Sequence, residues 1–159
     1  MNNFVDEIHK GFEDSLTTLM YLIHGPLVAK DQLWRELGYS SSVALRMAVN
    51  RGTLPVTLME LPHRHGRFGL TEEIASWLVS QRIKNSKSPI ERIVNSVGEN
   101  RVIHNVLLHE KDLLGLLQLE TRSQLLDKNK KHQIPFPVFT IDQRQTKLFA
   151  LVCEVPDLL

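Results

Sequence analysis

At 159 residues, with 42 % apolar and 23 % charged residues, the chain suits one ordinary domain or two small ones and is too apolar for intrinsic disorder. Its apolar runs break well short of a bilayer span, the acidic opening "MNNFVDEIHKGFED" is unlike a secretory signal, and a single cysteine, Cys153, excludes an internal disulfide framework; a cytoplasmic protein is expected. Net charge is only +1 but uneven: residues 1–26 hold one Lys against four acids, residues 27–86 eight Lys and Arg against five acids, and residues 87–159 ten against nine.

Residues 1–25 set Phe4, Ile8, Phe12, Leu16, Leu19 and Ile23 along one stripe at helical spacing, which predicts an amphipathic helix that packs on a domain or on a second subunit. "KDQLWRELGY" puts Leu33, Trp34 and Leu37 on one helix face and stops at Gly38. "SSSVALRMAVNRG" opens on hydroxyl caps, gathers Leu45, Ala48 and Val49 on one face, and ends at Gly52. Two short helices joined by a tight turn make a helix-turn-helix. "LPVTLMEL" and "FGL", on either side of the turn residues Pro62 and Gly66, predict a β-hairpin, and "TEEIASWLVSQR" a closing helix with Thr71 as its cap. Residues 26–84 thus form a first domain.

Residues 85–106 form a linker and a helix, announced by Ser88, Pro89 and Glu91 as cap, first-turn proline and reciprocal acid. Residues 107–159 repeat the earlier order. Thr121 and Gln124 spell a capping box, "PFPVFTI" and "KLFALV" are hairpin strands, and "EVPDLL" is a truncated last helix. The two halves align about 81 residues apart, with slips after His24 and near Gly52: Lys30-Asp31 with Lys111-Asp112, Leu33 with Leu114, Leu45 with Leu126, Phe68 with Phe149. The expected fold is mainly α with short β-hairpins: two tandem small winged helix-turn-helix domains related by internal duplication, preceded by an amphipathic helix.

"LVAKDQLWRELGYSSSVALRMAVNRGTLPV", with its hairpin and "TEEIASWL", resembles the compact winged helix-turn-helix modules of the MerR, excisionase and AlpA-like group. "QIPFPVFTIDQRQTKLFALVCEVPDLL" is similar to the pyocin activator family. The resemblances cover about residues 27–80 and 107–159. They imply a nucleoid-associated, cytoplasmic protein that binds double-stranded DNA as a regulator of a phage, plasmid or integrating element, as a homodimer or cooperative oligomer. An excisionase-like DNA-bending factor working beside a recombination protein, or a protein-interaction adaptor, are the alternatives.

A winged helix would lay its second helix in the major groove. On the first such helix Arg46 suits guanine, Asn50 adenine, and Ser41 or Ser42 phosphate, while Arg51 steadies the helix end or meets phosphate; Arg46 and Asn50 equally fit a plain solvated face. In the second copy Arg122, Gln124, Lys128, Lys130 and Lys131 are the counterparts, with Asp127 standing where Arg46 does. The two copies therefore read different sequence, or one serves another interaction. On the hairpin tips Arg64, His65 and Arg67, and Arg144 and Lys147, suit the backbone or minor groove. His63 and His65, spaced i and i+2, would share a face on a strand and invite a metal, but no further ligands stand nearby; no metal, cofactor or catalytic group is expected, nor any membrane partner.

Overall fold

The structure, a computed structural model, describes residues 2–86, 105–142 and 144–156, with the side chains of all but 2, 3, 144 and 145. Among these residues six α-helices accompany two three-stranded antiparallel sheets, so the chain is mixed α/β rather than mainly α with bare hairpins. The difference comes from Leu27–Ala29 and Leu107–Leu108, apolar residues that open onto a helix and carry too few positions for a period; each becomes a strand only by pairing with a hairpin. Two units result, one of residues 2–80 with 105–106 and one of residues 81–86 with 107–156.

In the first unit α1 (Asn2–His24) buries Phe12, Leu16, Leu19 and Met20, one face of a helix, while Phe4 stands 70 % exposed. Of the predicted stripe Phe12, Leu16 and Leu19 are buried, and Ile8 and Ile23 are half-buried. β1 (Leu27–Ala29) leads into α2 (Lys30–Glu36), which stops where Gly38 takes φ 71°. α3 (Ser42–Arg51) starts on Ser41, whose Oγ accepts the Ala44 N–H at 3.2 Å, and ends at the left-handed Gly52. β2 (Leu58–Glu60) and β3 (Arg67–Leu70) form the hairpin, shorter than "LPVTLMEL" predicts. β3 is the middle strand, with Leu27 opposite Leu70 and Leu58 opposite Gly69. A Cβ on Gly69 would stand 3.0 Å from Ile74 Cδ1 and 3.1 Å from Leu33 Cδ1, so glycine lets α2 and α4 close on the sheet. α4 (Thr71–Asn85) takes Thr71 as its first helical residue, and the Thr71 hydroxyl donates to the Gly25 carbonyl at 2.7 Å.

Buried between α1 and α2, His24 Nε2 meets Glu36 Oε1 at 2.7 Å and Nδ1 meets Gln32 Oε1 at 2.9 Å. Burial pulls the His24 pKa down, but the hydrogen bond and charge of Glu36, with the Gln32 hydrogen bond, together leave the pKa above the usual histidine value. Glu36 also accepts the Val106 N–H at 2.9 Å.

In the second unit β4 (Leu107–Leu108), α5 (Glu110–Leu116), α6 (Arg122–Lys130), β5 (Phe139–Ile141) and β6 (Arg144–Leu151) enclose Leu113, Leu125, Phe136, Leu148 and Ala150. Thr121 and Gln124 form the capping box that their spacing predicts. Of the final helix expected over 154–159, Glu154 instead closes the 3₁₀ turn Val152–Glu154 and Val155 is extended, while residues 157–159 lie outside the described residues. Cys153 lies in that turn, not in a strand, and burial pushes its thiol up to about 12. Next to it Arg82 and Glu154 form a doubly hydrogen-bonded pair at 2.7 and 2.8 Å, both side chains at most 2 % exposed. Burial raises the Glu154 pKa against the pull of Arg82. The helix expected from Ser88, Pro89 and Glu91 lies outside the described residues.

From β1 to β3 and from β4 to β6 the two units run in the same element order and share turn hydrogen bonds 80 residues apart, whereas α1 and α4 have no α-helical counterpart among the described residues of the second. Gly38 and Tyr39 N–H donate to Arg35 and Trp34 carbonyls as Gln118 and Leu119 donate to Gly115 and Leu114. Gly52 and Thr53 donate to Val49 and Ala48 as His132 and Gln133 donate to Asn129 and Lys128. Left-handed residues recur in step: Gly38 with Gln118, Gly52 with His132. Buried Leu33 and Leu45 match Leu113 and Leu125. The last strand runs one further along: Phe68 faces Met59 as Phe149 faces Phe139. The separation of 81 that the sequence suggests through the helices is therefore corrected to 80, with a single slip in the hairpin. Runs such as "DLLGLLQLE" hold adjacent leucines, and burial alone tells which of each pair is the core residue.

Candidate nucleic-acid interface

α3 turns Leu45 and Ala48 inward, so Ser42, Val43, Arg46, Met47, Asn50 and Arg51 fall on its exposed half. Between this helix and the hairpin runs an open groove of about 470 Å³. Its floor is Leu33, Leu45, Val49, Leu58 and Leu61; its rim carries Lys30, Arg46, Asn50, Arg64, His65 and Arg67, with Glu60 as the one acid. The fold thus brings together five residues that the sequence nominates from two separate segments. Ser41, Ser42 and Arg51 lie outside the groove, at the two ends of α3.

Four cations around one carboxylate leave the rim positive. Glu60 and Arg67 are register partners across the hairpin and form an exposed ion pair at 3.2 Å, which ties down one of the four. The Arg64 guanidinium lies over the Phe68 ring, 6.0 Å from its centroid. Among the described residues Arg46, Arg51 and Arg64 make no ion pair. Lys30 and Glu60 are rim members that sequence reasoning missed. Glu60 was findable, since it and Arg67 stand symmetrically about the turn; Lys30 was not, because only packing of α2 on α3 brings it there.

The histidines do not sit on a strand. Residues 61–66 form the turn itself, with His63 left-handed at φ 62° and Gly66 at φ 110°, so the shared face that i, i+2 spacing promised is lost. Among the described residues no three His, Cys, Asp or Glu side chains gather as metal ligands.

The second unit uses its matching residues differently. Arg122 Nε pairs with Glu110 at 3.0 Å and its Nη2 donates to the Thr146 carbonyl. Gln124 Oε1 accepts the Glu120 and Thr121 N–H groups and closes the start of α6. At a separation of 80, Arg46 corresponds to Leu126, packed on the core, and Asp127 to Met47, which corrects the pairing of Asp127 with Arg46. Arg67 corresponds to the buried Leu148, so the shared basic tip is not a shared position. Lys130 and Lys131 are exposed at the end of α6, Lys128 and Lys147 are half-buried, and the Arg144 side chain lies outside the described residues. Lys130 edges a groove of about 560 Å³ in which Ile134, Phe136, Val138, Phe139 and Leu148 alternate with Asn85, Ser86, Asn129, His132 and Thr140, so Lys130 is its one Lys or Arg where the first unit's groove has four.

No helix among the described residues is long and apolar enough to cross a membrane. Set beside family models, curated proteins and solved structures, the chain matches none of them.

Proposed function

We propose that the chain is a sequence-specific double-stranded DNA-binding regulator built from two winged helix-turn-helix units of common origin, and that its first unit reads the DNA. α3 is the reading helix, with Arg46 for guanine and Asn50 for adenine in the major groove. Ser41 and Ser42 at its start and Arg51 at its end meet phosphate, and Arg64, His65 and Arg67 on the hairpin meet the backbone or minor groove. What carries this reading is the single positive rim that α3 and the hairpin share, with Arg46 and Arg64 unpaired within the described chain. The common plan of the two units, 80 residues apart, supports the duplication.

Selection from a random duplex library followed by gel shift with the full chain tests it. A preferred sequence should emerge, its affinity should fall as salt rises with a log–log slope of about −0.9 for each phosphate engaged, and Arg46→Ala should relax the choice at one base pair. Failure to select any sequence over competitor DNA refutes the reading. Sedimentation at increasing concentration checks the homodimer that would double a small interface.

A second reading, an adaptor that binds another protein, is favoured for the second unit by one observation. Its groove holds Lys130 as the one Lys or Arg, and Leu126 and Leu148 stand where the first unit has Arg46 and Arg67. If fragments selected by the full chain survive Lys130→Ala and Lys131→Ala unchanged, the second unit reads no DNA.

A further inference from the structure

α3 exposes two large apolar side chains, Val43 at 51 % and Met47 at 47 %, one turn apart on its outer half. Neither lines the groove toward the hairpin, so they occupy the side of the helix beyond Arg46 and Asn50. Their exposure serves no packing purpose within the described unit, and a β-branched valine is not there for helix propensity. The helix holds no acid in its ten residues, and Arg46 and Arg51 flank the apolar pair without ion-pair partners among the described residues. An apolar pad framed by unpaired cations complements a polyanion whose edge bears methyl groups. Duplex DNA is such a surface, because thymine alone puts a C5-methyl into the major groove.

We infer that Val43 and Met47 read thymine methyl groups, so that the preferred site carries thymines beside the base pairs that Arg46 and Asn50 contact. This rests on the DNA reading proposed above and specifies which bases that reading selects. Four residues of helix advance about 6 Å, close to two base steps of about 3.4 Å, which places the two thymine contacts about two steps apart. The second unit has Ser123 and Asp127 at the matching positions and no such pad. A protein surface docking on the same two side chains is the competing occupant; the cations and missing acids on α3 argue for DNA.

The test uses the full chain and the duplex it selects, with each thymine in turn replaced by deoxyuridine, which removes the methyl and keeps the pairing. At two positions the loss should weaken binding about fourfold, the share of one buried carbon. Val43→Ala and Met47→Ala should each abolish the thymine preference at one of these positions while the Arg46→Ala-sensitive base pair stays selected. Selective, Arg46-dependent binding that is indifferent to every uridine substitution overturns the methyl-reading inference and leaves the DNA reading standing; absence of any selected duplex overturns both. Should Val43→Ser and Met47→Ser weaken self-association in sedimentation while the thymine preference is untouched, the pad is a protein contact and the inference fails.

Discussion

Exchanging glycine and histidine between matched positions, His132→Gly and Gly52→His, should shift stability in opposite directions in the two units. His132 holds φ 54° after α6, as Gly52 holds φ 66° after α3. A side-chain-bearing residue in the left-handed region costs about 1–2 kcal/mol, and histidine sits at the low end because it is enriched there. Glycine's larger entropy loss on folding takes back about 0.5–1 kcal/mol. His132→Gly should therefore stabilise the second unit by up to about 0.5 kcal/mol. At Gly52 nothing lies within 4 Å of an added Cβ, so Gly52→His adds backbone strain without a clash and should destabilise the first unit by a similar amount. Trp34 and Trp77 both lie in the first unit, so tryptophan fluorescence in urea follows Gly52→His. Amide exchange at Leu125 in α6 follows His132→Gly, where protection should rise by up to about twofold if the unit opens as a whole. A destabilising His132→Gly would refute the left-handed turn at 132 and with it the match of that turn to Gly52.

Three further outcomes are expected. Arg82→Met leaves Glu154 buried without its partner and should cost about 3–5 kcal/mol, with the double variant Arg82→Met/Glu154→Leu recovering most of it; equal losses in both would show that the pair's charges do not matter. The raised His24 pKa means that the protonated form is favoured by folding, so the pair's contribution is fully present below about pH 6.5 and is lost as pH rises through the folded value. Urea midpoints should accordingly fall over that range in the natural chain and not in His24→Gln. Cys153, its thiol pushed up to about 12 by burial, should resist alkylation at pH 8 in the folded chain and react on unfolding; fast reaction in the native state would place it at the surface.

Local signals carried much of the fold. Gly38 and Gly52 end their helices because only a left-handed residue closes those turns, Ser41 and Thr121–Gln124 start theirs because an oxygen must meet free N–H groups, and each is visible within a few residues of chain. The candidate site was legible as residue types: Arg46, Asn50, Arg64, His65 and Arg67 stand out as a charged helix face and a basic turn. That they share one groove was not legible, because nothing local relates α3 to a hairpin that begins seven residues after it ends.

What the sequence by itself determined is the order of helices, turns and hairpins, since helix caps, glycine stops and apolar periods act over one or two turns. Tertiary structure alone decided the third strand of each sheet, the place of Lys30 on the groove rim, the partnering of Arg122, and the choice between neighbouring leucines. Those depend on strand pairing and on which side chain meets the core. A shift of one residue changes the face that a side chain takes, and it turns Asp127 from the counterpart of Arg46 into the counterpart of Met47.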